Sequence, residues 1–136
     1  MKNLVIEANE HQYTPGIYCN ADQNLFELSG KSFPENASAF YAPVFEWLLE
    51  YFEQLGDDDE VVVNIELGYY NSSSNRKIAD FLYFLNQKAF DDAVPVDVNW
   101  FYDDDNINIR EDGEDFKADY PAILFKLVEK QIEQKE

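Results

Sequence analysis

Two rhythms of apolar residues run along the chain. The first has a period of two. Val63, Ile65 and Leu67 point to one side of the segment Val61 to Leu67, and Asn64 and Glu66 to the other. That is the pattern of a strand buried on one face. Leu4-Val5-Ile6 is a short strand candidate. Thr14 to Cys19 and Leu25 to Leu28 flank the turn-rich Asn20-Ala21-Asp22-Gln23-Asn24 and read as a hairpin. Val94 to Tyr102 and Ala122 to Val128 are two further strand candidates.

The second rhythm has helical spacing. Phe40, Val44, Trp47, Leu48, Tyr51 and Leu55 recur at intervals of three and four, which predicts a helix near 37–55. Asn36 or Ser38 supplies its cap, Pro43 lies near the front where a missing N–H does least harm, and Gly56 ends it. Ile78, Phe81, Leu82, Leu85 and Ala89 predict a second amphipathic helix near 74–90. Gly68 and Asn71 loosen the strand before it. A third, more polar helix is expected near 106–118, and Glu129 to Glu136 reads as a polar tail with helical character. Strands come first, followed by helix–strand three times. Such alternation favours parallel pairing, so the expected architecture is a single α/β domain over 1–136, its one mixed sheet formed from an N-terminal hairpin and alternating helix–strand units.

Composition narrows the classes of function. Of the 136 residues, 46% are apolar, enough for a packed core. There are 28 acidic residues against 10 basic ones, for a net charge of −18. Affinity for nucleic acid or an anionic membrane rests on Lys and Arg, so neither is expected as a partner. The acidity serves solubility or docking onto a basic protein surface. A single cysteine, Cys19, leaves no intrachain disulfide to form. No apolar run reaches the ~18 residues of a membrane helix, and the start of the chain lacks a signal-peptide layout. A cytoplasmic protein is expected.

The catalytic inventory is thin. His11, the one histidine, stands in a polar stretch and reads as an ordinary exposed side chain. Cys19 lies in a strand candidate and reads as a buried structural thiol. Asp104, Asp105, Asn106 and Asn108 resemble the start of a calcium loop, but Ile109 stands where the sharp turn needs glycine. Glu111 and Asp115 have the spacing of a solvated helix face as much as that of a catalytic carboxylate pair. Neither a metal nor another cofactor is expected, and the chain does not read as an enzyme.

Ser72, Ser73 and Ser74 lie where a strand hands over to a helix, with Arg76 and Lys77 close behind. A helix start has unpaired N–H groups and a positive dipole end, so a phosphate on one of these hydroxyls would be stabilised there. A plain helix cap explains the same residues.

Five short motifs stand in order along the chain. They are Thr14-Pro15-Gly16-Ile17, Ser32-Phe33-Pro34-Glu35-Asn36, Tyr69-Tyr70-Asn71-Ser72-Ser73-Ser74, Val98-Asn99-Trp100-Phe101-Tyr102-Asp103 and Gly113-Glu114-Asp115-Phe116. Together they resemble the SiaC family of bacterial regulatory phosphoproteins over nearly the whole chain. The resemblance implies an α/β fold like that of the anti-sigma factor antagonists, the STAS-like domains. It also implies a partner-switching circuit. A serine/threonine kinase of the histidine-kinase-like ATPase superfamily phosphorylates the switch, a PP2C-type phosphatase reverses this, and the unphosphorylated form binds and activates a diguanylate cyclase. The family's acceptor is a threonine directly after an asparagine, a position held here by Ser72, with Ser73 and Ser74 as alternates. The expected partner-binding surface comprises Asn71, Asn75, Arg76, Ala79 and Tyr83. The alternatives are a constitutive acidic binding module, its serines only a cap, and, more remotely, an acid-dependent hydrolase.

Overall fold

A computed structural model describes residues 1–130. Six strands form one sheet in sequential order: β1 (Leu4–Ile6), β2 (Gly16–Asn20), β3 (Leu25–Ser32), β4 (Val61–Tyr70), β5 (Val96–Asp103) and β6 (Leu124–Lys130). The first three pair antiparallel, and β3 through β6 pair parallel. The mixed α/β sheet is the expected one, with β1 extending the hairpin to a three-stranded meander. Helices α1 (Ala37–Gln54), α2 (Ser72–Asp91) and α3 (Ile107–Asp119) make the parallel crossovers.

Right-handed crossovers between neighbouring strands in sequential order put all three helices on the same side. Burial agrees. Phe26, Leu28, Val63, Ile65, Leu67, Val98, Trp100 and Phe125 join Val44, Trp47, Leu48, Tyr51, Ile78, Phe81, Leu82 and Leu85 in one core. Trp47 and Phe81 are buried, each contributing on the order of 2–3 kcal/mol through removal from water. The opposite sheet face is polar and partly exposed. There Asn99 donates to Asn64 (2.9 Å), and Asn64 to Glu27 (3.1 Å), across three strands.

The structure corrects several boundaries. β4 does not stop at Leu67 but runs to Tyr70, through an irregularity in its pairing with β3. Gly30 pairs with Leu67, yet Lys31 pairs with Tyr69, so one extra residue, Gly68, enters β4. The insertion reverses the alternation: Tyr69 is exposed and Tyr70 turns toward the core. β3 continues to Ser32, β5 begins at Val96 because Val94 and Pro95 precede its ladder, and β6 runs from Leu124 to Lys130. Glu129 and Lys130, expected in a helical tail, are therefore strand residues, and the rest of that tail lies outside the described residues. Asn106, read against a calcium loop, caps α3 through Ile109 N–H and reaches the Gly68 carbonyl. His11 is exposed, and Cys19 is fully buried, its thiol pushed up to about 12 by that burial.

Candidate functional site: the start of the second helix

The site is assembled where β3 and β4 end. α2 begins two residues before the expected start, and the reason is Asn71. Its extended backbone makes it the N-cap, and its side-chain oxygen accepts from Ser74 N–H at 2.9 Å. Its own N–H donates to the Ser32 carbonyl at 3.1 Å, fastening the helix start to the end of β3. An asparagine therefore does the capping, and the three serines form the first turn.

Their surroundings differ. Ser74 is fully buried. Ser32 Oγ donates to Ser74 Oγ at 2.8 Å and lies 2.6 Å from the Tyr41 hydroxyl. The single Ser32 proton is used toward Ser74, so Tyr41 donates to Ser32. Burial pushes the Tyr41 phenol up to about 12. This closed hydroxyl chain ties β3, α1 and α2 together. Ser72 and Ser73 are exposed.

Two clefts meet at Ser72. The larger, open and of about 970 Å³, lies between the N-termini of α1 and α2 and is lined by Glu35, Asn36, Ala37, Ser38, Ser72, Ser73, Arg76 and Lys77. The first turn of α2 holds no acidic residue to offset its dipole. Lys77 sits 3.9 Å from Asp80, whereas Arg76 forms no salt bridge among the described residues. The smaller cleft, about 250 Å³, is lined by Tyr70, Asn71, Ser72, Asn75 and Asp112. Here Tyr70 OH donates to Asp112 Oδ2 at 2.5 Å, and Asn75 Nδ2 to the same oxygen at 3.5 Å. Burial first, and the Asp112 carboxylate second, hold the Tyr70 phenol well above its ordinary value. Of the three serines, Ser72 alone borders both clefts.

The residues expected to bind partners divide around this site. Arg76 and Tyr83 are exposed and lie two turns apart on α2. Ala79 is half-buried, with its carbonyl accepting from Tyr120 OH at 3.2 Å. Asn71 serves as the cap, and Asn75 faces Asp112. Sequence reasoning missed Asp112, Tyr70, Ser32 and Tyr41 as members of the site. Ser32 and Tyr70 were visible as members of the recurring motifs, but only the Gly68 irregularity makes them neighbours on the inner face. A second missed feature adjoins the site. Tyr13 stacks on Phe33 at 4.3 Å, and Phe33 meets Tyr69 edge-on at 5.1 Å, which leaves two half-exposed tyrosines at the same end of the sheet.

Ser72 thus offers an exposed hydroxyl on a capped helix start, on a cleft that Arg76 also lines. The comparisons with known proteins agree with a regulatory role. The sequence profile of the SiaC family regulatory phosphoproteins matches residues 6–130, and the chain belongs to that family. An uncharacterised protein of Pseudomonas aeruginosa (strain UCBPP-PA14) is 29% identical over 109 residues, or 79% of this chain and 83% of its relative. The crystal structure of apo-SiaC from Pseudomonas aeruginosa superimposes with a TM-score of 0.78 at 27% identity, covering 96% of this chain and 99% of that one. A chain in the crystal structure of the diguanylate cyclase SiaD in complex with its activator SiaC, from the same organism, matches with a TM-score of 0.79 at 26% identity, covering 95% and 99%. No helix among the described residues is long and apolar enough to cross a membrane.

Proposed function

We propose that this chain is a non-enzymatic switch of a bacterial partner-switching circuit, reversibly phosphorylated on Ser72. In its unphosphorylated form it binds and activates an effector, a diguanylate cyclase by analogy with the SiaD–SiaC complex. A kinase of the histidine-kinase-like ATPase superfamily and a PP2C-type phosphatase set its state, in the cytoplasm. Its docking surface is the exposed side of α2, anchored by Arg76 and Tyr83, residue types favoured at interface hot spots.

The observation that carries this reading is the contrast within the serine cluster. Ser72 is exposed on a cleft with Arg76 and Lys77, whereas Ser74 is buried in a hydroxyl chain that a kinase could reach only by unfolding the helix start. Ser73 is exposed but borders only the larger cleft. The reading of the serines as caps loses its ground, because Asn71 already does that work.

Phosphorylation adds about −1.5 to −2 charge at pH 7. The fold tolerates an anion at a helix start. A packed interface does not, since an unpaired buried charge costs several kcal/mol and each ~1.4 kcal/mol is tenfold in affinity. The test is titration of the effector with unmodified and kinase-treated protein. Ser72→Ala should bind constitutively and resist the kinase, and the phosphorylated chain should lose binding while staying folded. Equal affinity of both folded forms would remove the switch and leave a constitutive binding module.

A further inference from the structure

We infer that Asp112 is a positioning residue of the switch: a phosphate on Ser72 displaces its carboxylate from Tyr70 and Asn75, and so loosens α3 from the end of the sheet. This rests on the reading of Ser72 as the phosphoacceptor.

Ser72 and Asn75 are three residues apart on α2 and share a helix face. Both border the cleft of about 250 Å³ into which Asp112 reaches from α3. In the unmodified protein the Asp112 carboxylate accepts from Tyr70 OH and, at longer range, from Asn75 Nδ2, linking α3 to the end of β4 and the first turn of α2. A phosphate in the same cleft acts on that link twice. Its charge repels a half-buried carboxylate, which solvent screens less than an exposed one. Its oxygens also compete for the Asn75 and Tyr70 donors. The larger cleft offers the phosphate Arg76 and Lys77, and Asp112 is not among its lining residues. Ser73 does not border Asp112's cleft, so a phosphate there lacks this effect.

α3 has two other nearby fastenings. Asn106 Nδ2 donates to the Gly68 carbonyl at 3.3 Å, and Trp100 Nε1 to the Ile109 carbonyl at 2.9 Å. Asp112 lies one turn beyond Ile109, and its neighbour Gly113 packs directly on the Trp100 ring. Displacing Asp112 therefore reaches the Trp100 indole, which serves as an internal reporter. The unmodified and phosphorylated forms would then differ in the surface α3 presents as well as in the charge at Ser72.

The test uses full-length chain carrying genetically encoded phosphoserine at position 72 or 73. Hydrogen exchange of the α3 amides and of the Trp100 indole N–H is read in each form, with effector titration alongside. Phosphoserine at 72 should speed α3 exchange by about 10-fold or more, through a lower free energy of local opening. Phosphoserine at 73 should not. Asp112→Asn keeps an acceptor for Tyr70 but removes the charge, and should suppress the phosphate-dependent change. Tyr70→Phe is the second variant: α3 should exchange fast before modification and respond little after it. Equal α3 exchange in unmodified and Ser72-phosphorylated protein overturns the inference, as does an undiminished response in Asp112→Asn. Lost effector binding with α3 unmoved overturns this coupling and leaves the switch standing. Equal effector affinity with α3 loosened upholds the coupling and removes the switch.

Discussion

Replacing Gly113 by alanine sets two known effects against each other. In an open helix the change stabilises, because alanine is better than glycine by about 1 kcal/mol. Gly113 is not in the open. A Cβ built there would fall 2.5 Å from Trp100 Cδ1, 2.6 Å from its Nε1 and 3.1 Å from Leu127 Cδ2. Carbon atoms rest at about 3.5–4.0 Å, so α3 and the indole must separate by roughly 1 Å. The indole has little room to move. It meets Phe116 at 5.4 Å, Phe125 at 6.0 Å and Tyr70 at 6.2 Å between ring centroids, and it donates to the Ile109 carbonyl. Overpacking a core costs about 1–3 kcal/mol. Losing the indole bond leaves a buried donor unsatisfied, at about 1–3 kcal/mol more. Crowding wins, and Gly113→Ala should lower stability by about 1–5 kcal/mol, or about 3–5 °C in Tm per kcal/mol for a chain of this size. Thermal and urea melts measure the loss, and near-UV circular dichroism reports the Trp100 environment. Combining the change with Trp100→Phe should be less harmful than the sum of the two, since the smaller ring removes the clash. An unchanged or raised Tm for Gly113→Ala would refute the packing of α3 on Trp100.

Ser74→Ala removes the acceptor of the buried Ser32 proton and should cost about 1–3 kcal/mol, whereas Ser73→Ala, at an exposed position, should stay within about 0.5 kcal/mol. Denaturant titration that found the two equal would contradict the hydroxyl chain. Arg76→Ala and Tyr83→Ala should each weaken a circuit partner by about tenfold, or ~1.4 kcal/mol, with little change in Tm because both side chains are exposed. Unchanged affinity for kinase and effector alike would move the interface elsewhere. Stability should fall in alkali. The Cys19 thiol rises from 9.0 to about 12 and the Tyr41 phenol from 10.0 to about 12, while Tyr51 and Tyr70 are also raised, all chiefly by burial. The unfolded chain therefore gives up these protons first, so their stabilising effect is complete below about pH 9 and is lost as pH climbs toward 12. A Tm flat from pH 8 to 11 would contradict the burial of these groups, as would rapid alkylation of Cys19 in the native protein at pH 8.

The sequence reading was strongest where one local pattern carries the signal. The alternation of Val63, Ile65 and Leu67 and the stripe of Val44, Trp47, Leu48 and Tyr51 are burial patterns, and the core contains these residues. Boundaries were weaker where a side chain outside the periodic pattern decides. α2 starts at Ser72 because Asn71 caps it, although Ile78 is the first apolar residue of its stripe. The end of β4 was missed because glycine in a strand reads as loosening, whereas Gly68 here adds a residue to the strand and lets it continue.

What the sequence determined by itself is the architecture and its regulatory character. Apolar periodicity forces a half-buried sheet under amphipathic helices, and helix–strand alternation forces parallel crossovers. The ordered motifs resemble the SiaC family, to which the chain belongs, and the serine run falls at a strand-to-helix handover. The resemblance pointed to Ser72 by its place directly after Asn71, but only the tertiary structure separated the three serines by their surroundings. They are consecutive and chemically identical, so their exposure cannot be read locally. Helical geometry turns Ser74 inward toward Ser32, 42 residues away, and leaves Ser72 and Ser73 outside. Asp112 likewise joins Tyr70 across 42 residues and Asn75 across 37. Such contacts follow from sheet order and strand register, which emerge when the whole core packs, and no window of sequence contains them.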